Sequence, residues 1–301
     1  MHGWIILDKP HGLGSTQAVS AVKRALCEAG EGRPKVGHGG TLDPLATGVL
    51  PVAIGEATKL AGRMLDSDKI YDFTVRFGAE TDTLDLEGAT VATSQARPTL
   101  ADARAILPRF TGPIEQVPPA YSAIRVNGER AYDRARAGEA FEIRPRAVTI
   151  HALTLSPSPS PREEQAALAE LTLRAHVSKG TYIRSLARDI ARALGTVGHV
   201  AMLRRVKAGP FGLASAISLD KLHEAAKARA LEDILLPLTA GLDDIPALSV
   251  SPDQARALRE GRKLIGIAKH QGLHLATDGS VPIALVEVSG PEVRVVRGFN
   301  L

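Results

Sequence analysis

Residues 37–48 read Gly-His-Gly-Gly-Thr-Leu-Asp-Pro-Leu-Ala-Thr-Gly, and the interpretation of the chain depends on this stretch. Its glycines allow the backbone to approach a neighbouring group closely and to adopt positive φ angles. Pro44 restricts Asp43 to an extended backbone, so one carboxylate is held on a rigid, glycine-lined loop. Such a loop can present a nucleophile or a base. It is equally compatible with a tight turn that Asp43 caps, and composition alone favours neither.

The segments before this loop predict a strand and a helix. Residues 4–7 are apolar and end at the turn 8–12. Ser15 is suited to cap the following helix, which Gly30 ends. After the loop, residues 49–54 form a short apolar stretch.

Two further segments alternate as half-buried strands do. In residues 70–77, Tyr71 shares the apolar face with Phe73, and residues 168–177 follow the same pattern. A turn at 178–180 then leads into a helix with Thr181 as its predicted N-cap. Strands and helices interleave without the rhythm of a parallel βαβ sheet, which predicts an α+β domain.

Two Pro-rich stretches interrupt these elements. Residues 156–161 read Ser-Pro-Ser-Pro-Ser-Pro, which predicts a loop or a hairpin tip. The Pro- and Gly-containing stretch 237–252 predicts a domain boundary. Short strands and one helix are expected beyond it, in a small and mostly β module.

Four segments resemble motifs of the TruB family of pseudouridine synthases, in the order in which that family has them. They are residues 7–12, 37–48, 66–71 and 178–185. The sequence departs from the family pattern at Gly39, where the family has threonine, and at Gly14, where it has threonine or serine. Each change removes a hydroxyl, so we expect altered RNA contacts or loop flexibility rather than loss of activity.

The resemblance implies a fold and a division into domains. The fold is α+β, with a mixed, largely antiparallel central sheet and flanking helices. The catalytic domain is expected at residues 1–240, and a short PUA-like RNA-binding module at residues 246–301. The matches for the module, at 258–261 and 296–299, are brief.

The resemblance also implies an activity: conversion of uridine 55 in the T-loop of tRNA to pseudouridine. The bond between ribose C1′ and uracil N1 breaks, the base rotates, and C1′ joins C5. Asp43 is the implied catalytic carboxylate, and the reaction requires no cofactor. The expected partner is tRNA, through its T-arm and its acceptor end, and assistance of tRNA folding is a further expectation.

Arg184 and Tyr71 are the other implied catalytic residues. An arginine beside a carboxylate favours the ionised form and can fix it by a bidentate contact. Spacing alone would instead place Arg184 with Arg188 and Arg192 on a solvated or phosphate-facing stripe. The alternation of its strand makes Tyr71 a core residue, whereas the resemblance stacks it on the target uracil.

The remaining candidate residues are expected to bind substrate or to support the loop. In the family, the histidine at the position of His38 fills the space left by the extracted nucleotide. Ile183 and Leu203 fit the base pocket or the core equally well. The substrate-binding candidates are His38, Tyr182, Ile183, Leu203, Lys69 and Lys179, and the structural candidates are Lys9, Pro10, Gly37 and Gly40. Arg204, Arg205 and Lys207 are further candidates for phosphate contacts.

Composition limits the alternatives. The 301 residues carry a formal charge of +4, which is compatible with a polyanionic partner. The single cysteine, Cys27, excludes an intramolecular disulfide and a cysteine-rich zinc site. No metal site, no membrane association, a cytoplasmic location and a monomer are expected. The rival hypothesis is a tRNA-binding or RNA-folding protein without catalysis on the same scaffold.

Overall fold

The structure is a computed structural model that describes residues 1–156, 165–267 and 270–301. The loop or hairpin tip predicted for the Ser-Pro run lies, from residue 157 onward, outside the described residues. Within the described residues, no helix combines the length and the apolar composition needed to span a membrane.

The strands are labelled β1 to β19 in chain order. Their bounds are β1 Gly3–Lys9, β2 Val36–His38, β3 Thr47–Ile54, β4 Lys69–Phe77, β5 Ala79–Thr81, β6 Thr90–Thr93, β7 Gly112–Gln116, β8 Arg125–Val126, β9 Glu129–Arg130, β10 Arg146–Leu155, β11 Glu170–Val177, β12 Gly198–Ala208, β13 Phe211–Gly212, β14 Leu236–Pro237, β15 Ala247–Ser249, β16 Leu264–Ile265, β17 Gly272–Asp278, β18 Val281–Ser289 and β19 Glu292–Gly298.

The α-helices are labelled in the same way. Their bounds are α1 Ser15–Glu28, α2 Ala61–Asp66, α3 Leu100–Ile106, α4 Ala131–Arg136, α5 Ile183–Ala193, α6 Leu219–Lys227 and α7 Pro252–Arg259. Short 3-10 helices occupy Gly55–Leu60, Leu107–Phe110, Leu213–Ser215, Leu231–Ile234 and Leu238–Gly241.

A ten-stranded sheet forms the larger part of the molecule. Its main path runs β14-β1-β3-β12-β4-β11-β10-β7, with β13 paired to β12 and β2 paired to β3. Neighbours are antiparallel except β3 and β12, which run parallel where Arg205 pairs with Gly48. Strand β4 therefore lies in the centre of the sheet, between β12 and β11.

The alternation of β4 explains one side of the core. Phe73, Val75 and Phe77 are buried, whereas Arg76 on the other face is exposed. Helix α5 packs over the buried face, and its Ile183, Leu186 and Ile190 belong to the same cluster as Phe73. Burial of these apolar side chains stabilises the sheet and fixes the first turn of α5 above it.

A five-stranded sheet is built from the C-terminal residues in the order β15-β17-β18-β19-β16. Its Leu275, Leu285 and Phe299 join the buried cluster that contains Trp4 of the larger sheet. Trp4 also donates its Nε1–H to the carbonyl of Leu238 at 3.2 Å. The predicted α+β class is confirmed: the larger sheet is mixed and largely antiparallel, and a small, mostly β part ends the chain.

Both predicted helix caps are wrong. The N-cap of α1 is Gly14, whose N–H donates to Oε1 of Gln17 at 2.8 Å. Ser15 is already helical and its hydroxyl is hydrogen-bonded to Leu42 instead. The N-cap of α5 is Tyr182, because Thr181 donates its hydroxyl to the carbonyl of Ser178 within the preceding turn.

Candidate active site

Asp43 and Arg184 form an ion pair where the loop between β2 and β3 meets the first turn of α5. Arg184 Nη2 lies 2.8 Å from Asp43 Oδ2. The Asp43 side chain is 41% exposed, whereas the Arg184 side chain is only 7% exposed. The guanidinium therefore belongs to the interior, and it holds a carboxylate that solvent or a substrate can reach.

Arg184 is fixed by contacts on its other side as well. Its guanidinium donates to the carbonyls of Thr83 at 2.8 Å and Tyr121 at 3.0 Å. Nη1 also lies 3.6 Å from Oδ2 of Asp85, a buried carboxylate. Asp85 Oδ1 accepts hydrogen bonds from the Thr83 hydroxyl and the Glu87 N–H. Arg184 is thus anchored between two carboxylates, one buried and one exposed.

A cavity of about 310 Å³ opens beside this pair. Asp43, Arg184 and Tyr71 line it together, and Tyr71 is half-buried at the start of β4. The predicted substrate-binding residues that share this lining are Tyr182, Ile183, Leu203 and Lys69. The structure therefore brings most of the candidate residues around one space.

A larger groove of about 750 Å³ reaches the same pair from another side. His38 lies here rather than in the smaller cavity. Asp43, Arg184 and Ser122 line both spaces, so the ion pair stands at their junction. Arginines line the outer part of the groove, namely Arg125, Arg130 and Arg136.

The loop that carries Asp43 is hydrogen-bonded on both sides of that residue. Ser15 Oγ donates to the carbonyl of Leu42 at 2.9 Å and accepts from its N–H at 2.8 Å. The carbonyl of Pro44 accepts from the Gly12 N–H at 2.9 Å and from Lys9 Nζ at 3.3 Å. Asp43 is therefore positioned before any substrate arrives, as a preorganised catalytic group must be.

Lys9 is the last residue of β1, and Pro10, which is exposed, follows it at the start of the turn. Lys9 is buried, and its ammonium also donates to the carbonyls of Pro10 at 3.0 Å and Leu13 at 2.6 Å. Burial lowers the pKa of Lys9 to about 8, and the charge of Asp43 opposes that shift. At neutral pH the ammonium is thus mainly charged and fastens the turn to the loop.

Arg205 supports the opposite side of the loop. It is buried, and its guanidinium donates to the carbonyls of Val49 at 2.7 Å and Gly40 at 3.0 Å. Gly40 has a φ of +130° and Gly48 a φ of +99°. Gly48 makes room for the backbone of Arg205, because a Cβ there would lie 2.1 Å from its carbonyl oxygen, whereas a Cβ at Gly40 would be 3.4 Å from Nη1 of Arg205.

Gly48→Ala is expected to destabilise the protein strongly. A Cβ at this position would lie 2.1 Å from the backbone oxygen of Arg205, with φ at +99°. Strain of this kind costs about 1–2 kcal/mol and overpacking about 1–3 kcal/mol more, measured as free energy of unfolding in urea. The control is Gly37→Ala, because no atom lies within 4 Å of a Cβ there. Equal losses in the two variants would contradict this explanation.

The structure offers a physical account of Gly39. A Cβ there would lie 2.4 Å from Cβ of Met64, so the side chain of Met64 occupies the space that a threonine would need. Met64 is itself buried. The departure at Gly39 is thus matched by close packing of α2 against the loop.

His38 and Tyr182 have altered acid–base properties. Burial, with Arg205 nearby, lowers the pKa of His38, whose Nδ1 is buried without a hydrogen-bond partner. The imidazole is therefore neutral at physiological pH. Burial raises the pKa of Tyr182, which keeps its phenol protonated.

Two predicted phosphate contacts are corrected by the structure. Lys69 is buried, and its ammonium donates to the carbonyls of Met64, Leu65 and Ser67. Burial lowers its pKa to about 8. With its three donors engaged, Lys69 supports the turn before β4 and has no donor left for a phosphate. Arg205 is excluded in the same way by its contacts to the loop.

The other basic candidates differ in exposure. Lys179 is exposed and pairs with Asp66 at 2.9 Å, in the turn whose Gly180 lines the cavity. Lys207 is exposed, whereas Arg204 pairs with Asp8 at 2.8 Å. Of the predicted solvated stripe, Arg192 is exposed, although it pairs with Glu80 at 2.7 Å, whereas Arg184 is buried. Arg188 also turns back to the protein, to Asp189 at 2.8 Å and to a carbonyl.

Sequence reasoning missed Asp85 and the arginines of residues 125–136. Asp85 lies in a turn between β5 and β6, and its distance along the chain from Arg184 hides their contact. The arginines are visible as a local excess of one charge, since Arg125, Arg130, Arg134 and Arg136 fall within twelve residues. That excess was a signal of an anion-binding surface.

Comparison with known families gives two consecutive matches. Residues 24–183 match the TruB family pseudouridylate synthase N-terminal domain, and residues 184–243 match the tRNA pseudouridylate synthase B C-terminal domain. The tRNA pseudouridine synthase B of Novosphingobium aromaticivorans is 65% identical, across 99% of this chain and 97% of its own length. That of Zymomonas mobilis is 61% identical, across 100% of this chain and 96% of its own length.

Solved structures share the fold at low sequence identity. A chain of a Cbf5-Nop10-Gar1 complex superposes with a TM-score of 0.71 at 24% identity, covering 99% of this chain and 85% of that chain. A chain of the archaeal box H/ACA sRNP Nop10-Cbf5 complex gives a TM-score of 0.71 at 23% identity, covering 99% and 86%. At this sequence identity, the structural similarity shows a shared fold and nothing about activity.

Proposed function

The chain belongs to the TruB family of pseudouridylate synthases, and we propose that it converts uridine 55 in the T-loop of tRNA to pseudouridine. The observation that carries this proposal is the exposed carboxylate of Asp43, held 2.8 Å from buried Arg184 at the wall of a cavity that Tyr71 also lines. A carboxylate so placed is held in one position by the arginine and is accessible from the cavity, which are properties that covalent or acid–base catalysis requires.

The reaction is an isomerisation: substrate and product contain the same atoms, so no other molecule has to donate or accept a group. The C1′–N1 bond breaks and a C1′–C5 bond forms; C5 loses its hydrogen and N1 gains one. Asp43 is the anionic group proposed to assist cleavage of the glycosidic bond. Arg184 is proposed to hold that carboxylate, and the proposal includes no cofactor.

The smaller cavity is proposed to receive the flipped uracil. Tyr71 offers an aromatic face, and Ile183 and Leu203 offer apolar surface beside it. RNA loops are commonly read by stacking of an extruded base on such side chains. His38, neutral and in the adjoining groove, is proposed to fill the gap left in the RNA, and Tyr182 to cover the pocket.

The groove lined by Arg125, Arg130 and Arg136 is proposed to bind the phosphates of the T-arm. All three are exposed, and the groove leads directly to Asp43. Arg130 and Arg136 lie over the Tyr132 ring, at 5.9 and 5.4 Å from its centroid. Cations next to an aromatic face suit RNA, because phosphate and base can be bound together. Lys179 at the cavity rim is proposed as a further contact.

Replacing Arg125, Arg130 and Arg136 by glutamine is expected to weaken tRNA binding without changing the chemical step. Each lost phosphate contact should lower the slope of log K against log salt by about 0.7–0.9. Filter binding at several salt concentrations measures this, and single-turnover rates at saturating protein measure the step. The control replaces Lys23, Arg24 and Arg33, which are exposed around a different cavity. An unchanged slope in the groove variant would exclude the groove as the phosphate surface.

Further parts of the proposal concern the rest of the chain. Residues 1–240 are proposed as the catalytic domain, and residues 246–301 as a PUA-like module that contacts the acceptor end. The protein is proposed to be a cytoplasmic monomer that also assists tRNA folding.

Release of tritium from C5 of uridine tests the function. The full-length chain is incubated with unmodified tRNA transcript labelled at uridine C5, and with the same transcript carrying cytidine at position 55. Release from the first transcript and none above background from the second is expected. Equal release from both would move the target to another uridine. Tight binding without release from either would favour the non-catalytic tRNA-binding alternative.

A further inference from the structure

Asp68, His151 and His176 form a cluster on the face of the large sheet opposite the Tyr71 side of β4. Their ligand atoms, one from each side chain, all lie within 4.8 Å of one another. His151 Nε2 lies 3.2 Å from Asp68 Oδ2, and His176 Nε2 lies 3.6 Å from the same oxygen. The two imidazole rings have centroids 4.8 Å apart.

The two histidines lie opposite each other on the neighbouring strands β10 and β11, at a β-bulge. The pairing of β10 with β11 shifts between Ile150, opposite Val177, and Ala152, opposite His176. His151 is the extra residue of this bulge. Val177 in turn pairs with Lys69, so Asp68 directly precedes the paired part of β4. Three neighbouring strands thus each contribute one ligand.

The distances suit a small divalent ion. Zn²⁺ binds nitrogen and oxygen ligands at about 2.0–2.2 Å, so neighbouring ligands of a tetrahedral site lie about 3.3 Å apart. The distances from Asp68 Oδ2 to the two imidazole nitrogens, 3.2 and 3.6 Å, bracket that value, and all three ligand atoms lie within 4.8 Å of one another. The side chains of His151, Asp68 and His176 are 37%, 48% and 41% exposed, respectively, which leaves room for water to complete the coordination.

The surrounding charges leave Asp68 available. Arg174, on the same face of β11, makes a two-point contact with Asp72. Lys179 pairs with Asp66. Arg174 and Lys179 are thus engaged with other carboxylates, and the ammonium of Lys69 is engaged with backbone carbonyls, so the cluster presents one carboxylate and two imidazoles. This donor set attracts a transition metal rather than an anion.

The geometry points to a surface site for one divalent transition-metal ion, held by Asp68, His151 and His176, with Zn²⁺ as the best-matched ion. The bound ion would join the residue before β4 to the middle of β10 and to the C-terminal end of β11. Because Tyr71 follows Asp68 by three residues, the ion would also stiffen the strand that carries the candidate stacking residue. This inference is independent of the proposed function, since binding is measured without RNA.

Titration with ZnCl₂ and with CoCl₂ tests for the metal site. The sample is the full chain after removal of any affinity tag. Wild type is expected to bind one high-affinity equivalent of Zn²⁺, to show the visible absorption bands of tetrahedral Co²⁺, and to melt at a higher temperature with Zn²⁺. Outer-shell partners of a metal typically contribute 10–100-fold in affinity, so losing one of three ligands should weaken binding by at least about tenfold.

The variants are His151→Ala, His176→Ala and Asp68→Asn, with His223→Ala as the control outside the cluster. The three cluster variants should lose the tight equivalent and the Co²⁺ bands, and the control should keep both. Because the cluster is partly exposed, the metal-free variants should melt close to wild type, which separates loss of binding from loss of folding. Absence of tight binding in wild type, or equal binding by wild type and His176→Ala, would overturn the inference.

Discussion

Asp43→Asn is expected to abolish tritium release from uridine 55 while leaving tRNA binding close to that of wild type. The amide has the shape of the carboxylate and can still accept a hydrogen bond from Arg184, so the loop should keep its conformation. It carries no negative charge and can act neither as a nucleophile nor as a base. A rate loss of about 10³-fold or more is expected for removal of such a group. Single-turnover tritium release and filter binding measure the two quantities separately.

The matched control for this experiment is Asp72→Asn. Asp72 is also an ion-paired carboxylate on a strand next to Tyr71, but it pairs with Arg174 on the other face of the sheet. Its replacement should leave the rate within a few-fold of wild type. A rate within tenfold of wild type in Asp43→Asn would remove the carboxylate from the mechanism. Parallel loss of tRNA binding would show that Asp43 instead shapes the binding surface.

Local patterns in the sequence predicted the elements well, because they depend on neighbouring residues. The alternation around Phe73 places β4 at Lys69–Phe77, and the apolar spacing after Thr181 places α5 at Ile183–Ala193. The caps were predicted less well. A hydroxyl at a helix start can bond the helix or a distant loop, and Ser15 bonds Leu42. Sequence spacing contains no information on that choice.

Contacts between distant segments came from the family resemblance or were missed. The contact between Asp43 and Arg184 could be expected only because the family motifs suggested it. Lys69 and Arg205 looked like surface cations, since the loop and turn carbonyls that engage them are defined only after folding. The cluster around Asp68 was missed for the same reason, because it depends on the pairing of β10 with β11 and of β11 with β4.

Arg184→Lys is expected to lower turnover by about 10²-fold or more with little change in tRNA affinity. Lysine keeps the positive charge but loses the fork that reaches Asp43, Thr83 and Tyr121 together. Arg184→Ala is a poorer test, because it leaves buried Asp85 without its ion-pair partner, and uncompensated buried charges destabilise proteins by about 3–5 kcal/mol. Single-turnover rates and tRNA affinities of Arg184→Lys are compared with those of wild type, which separates a role in the chemical step from a role in binding. Equal losses of rate and affinity would make Arg184 a phosphate contact.

Asp85→Asn, combined with Arg184→Lys, shows whether Asp85 acts through the arginine. The Asp85 side chain is 3% exposed and lies 3.6 Å from Arg184; it lines the larger groove but not the smaller cavity that Tyr71 lines. It is therefore a positioning residue. Its replacement alone should slow turnover about tenfold, because a neutral amide holds the guanidinium less firmly. Once the guanidinium is gone there is little left to position, so the double variant should be scarcely slower than Arg184→Lys. Rate losses that multiply would mean that the two residues act separately.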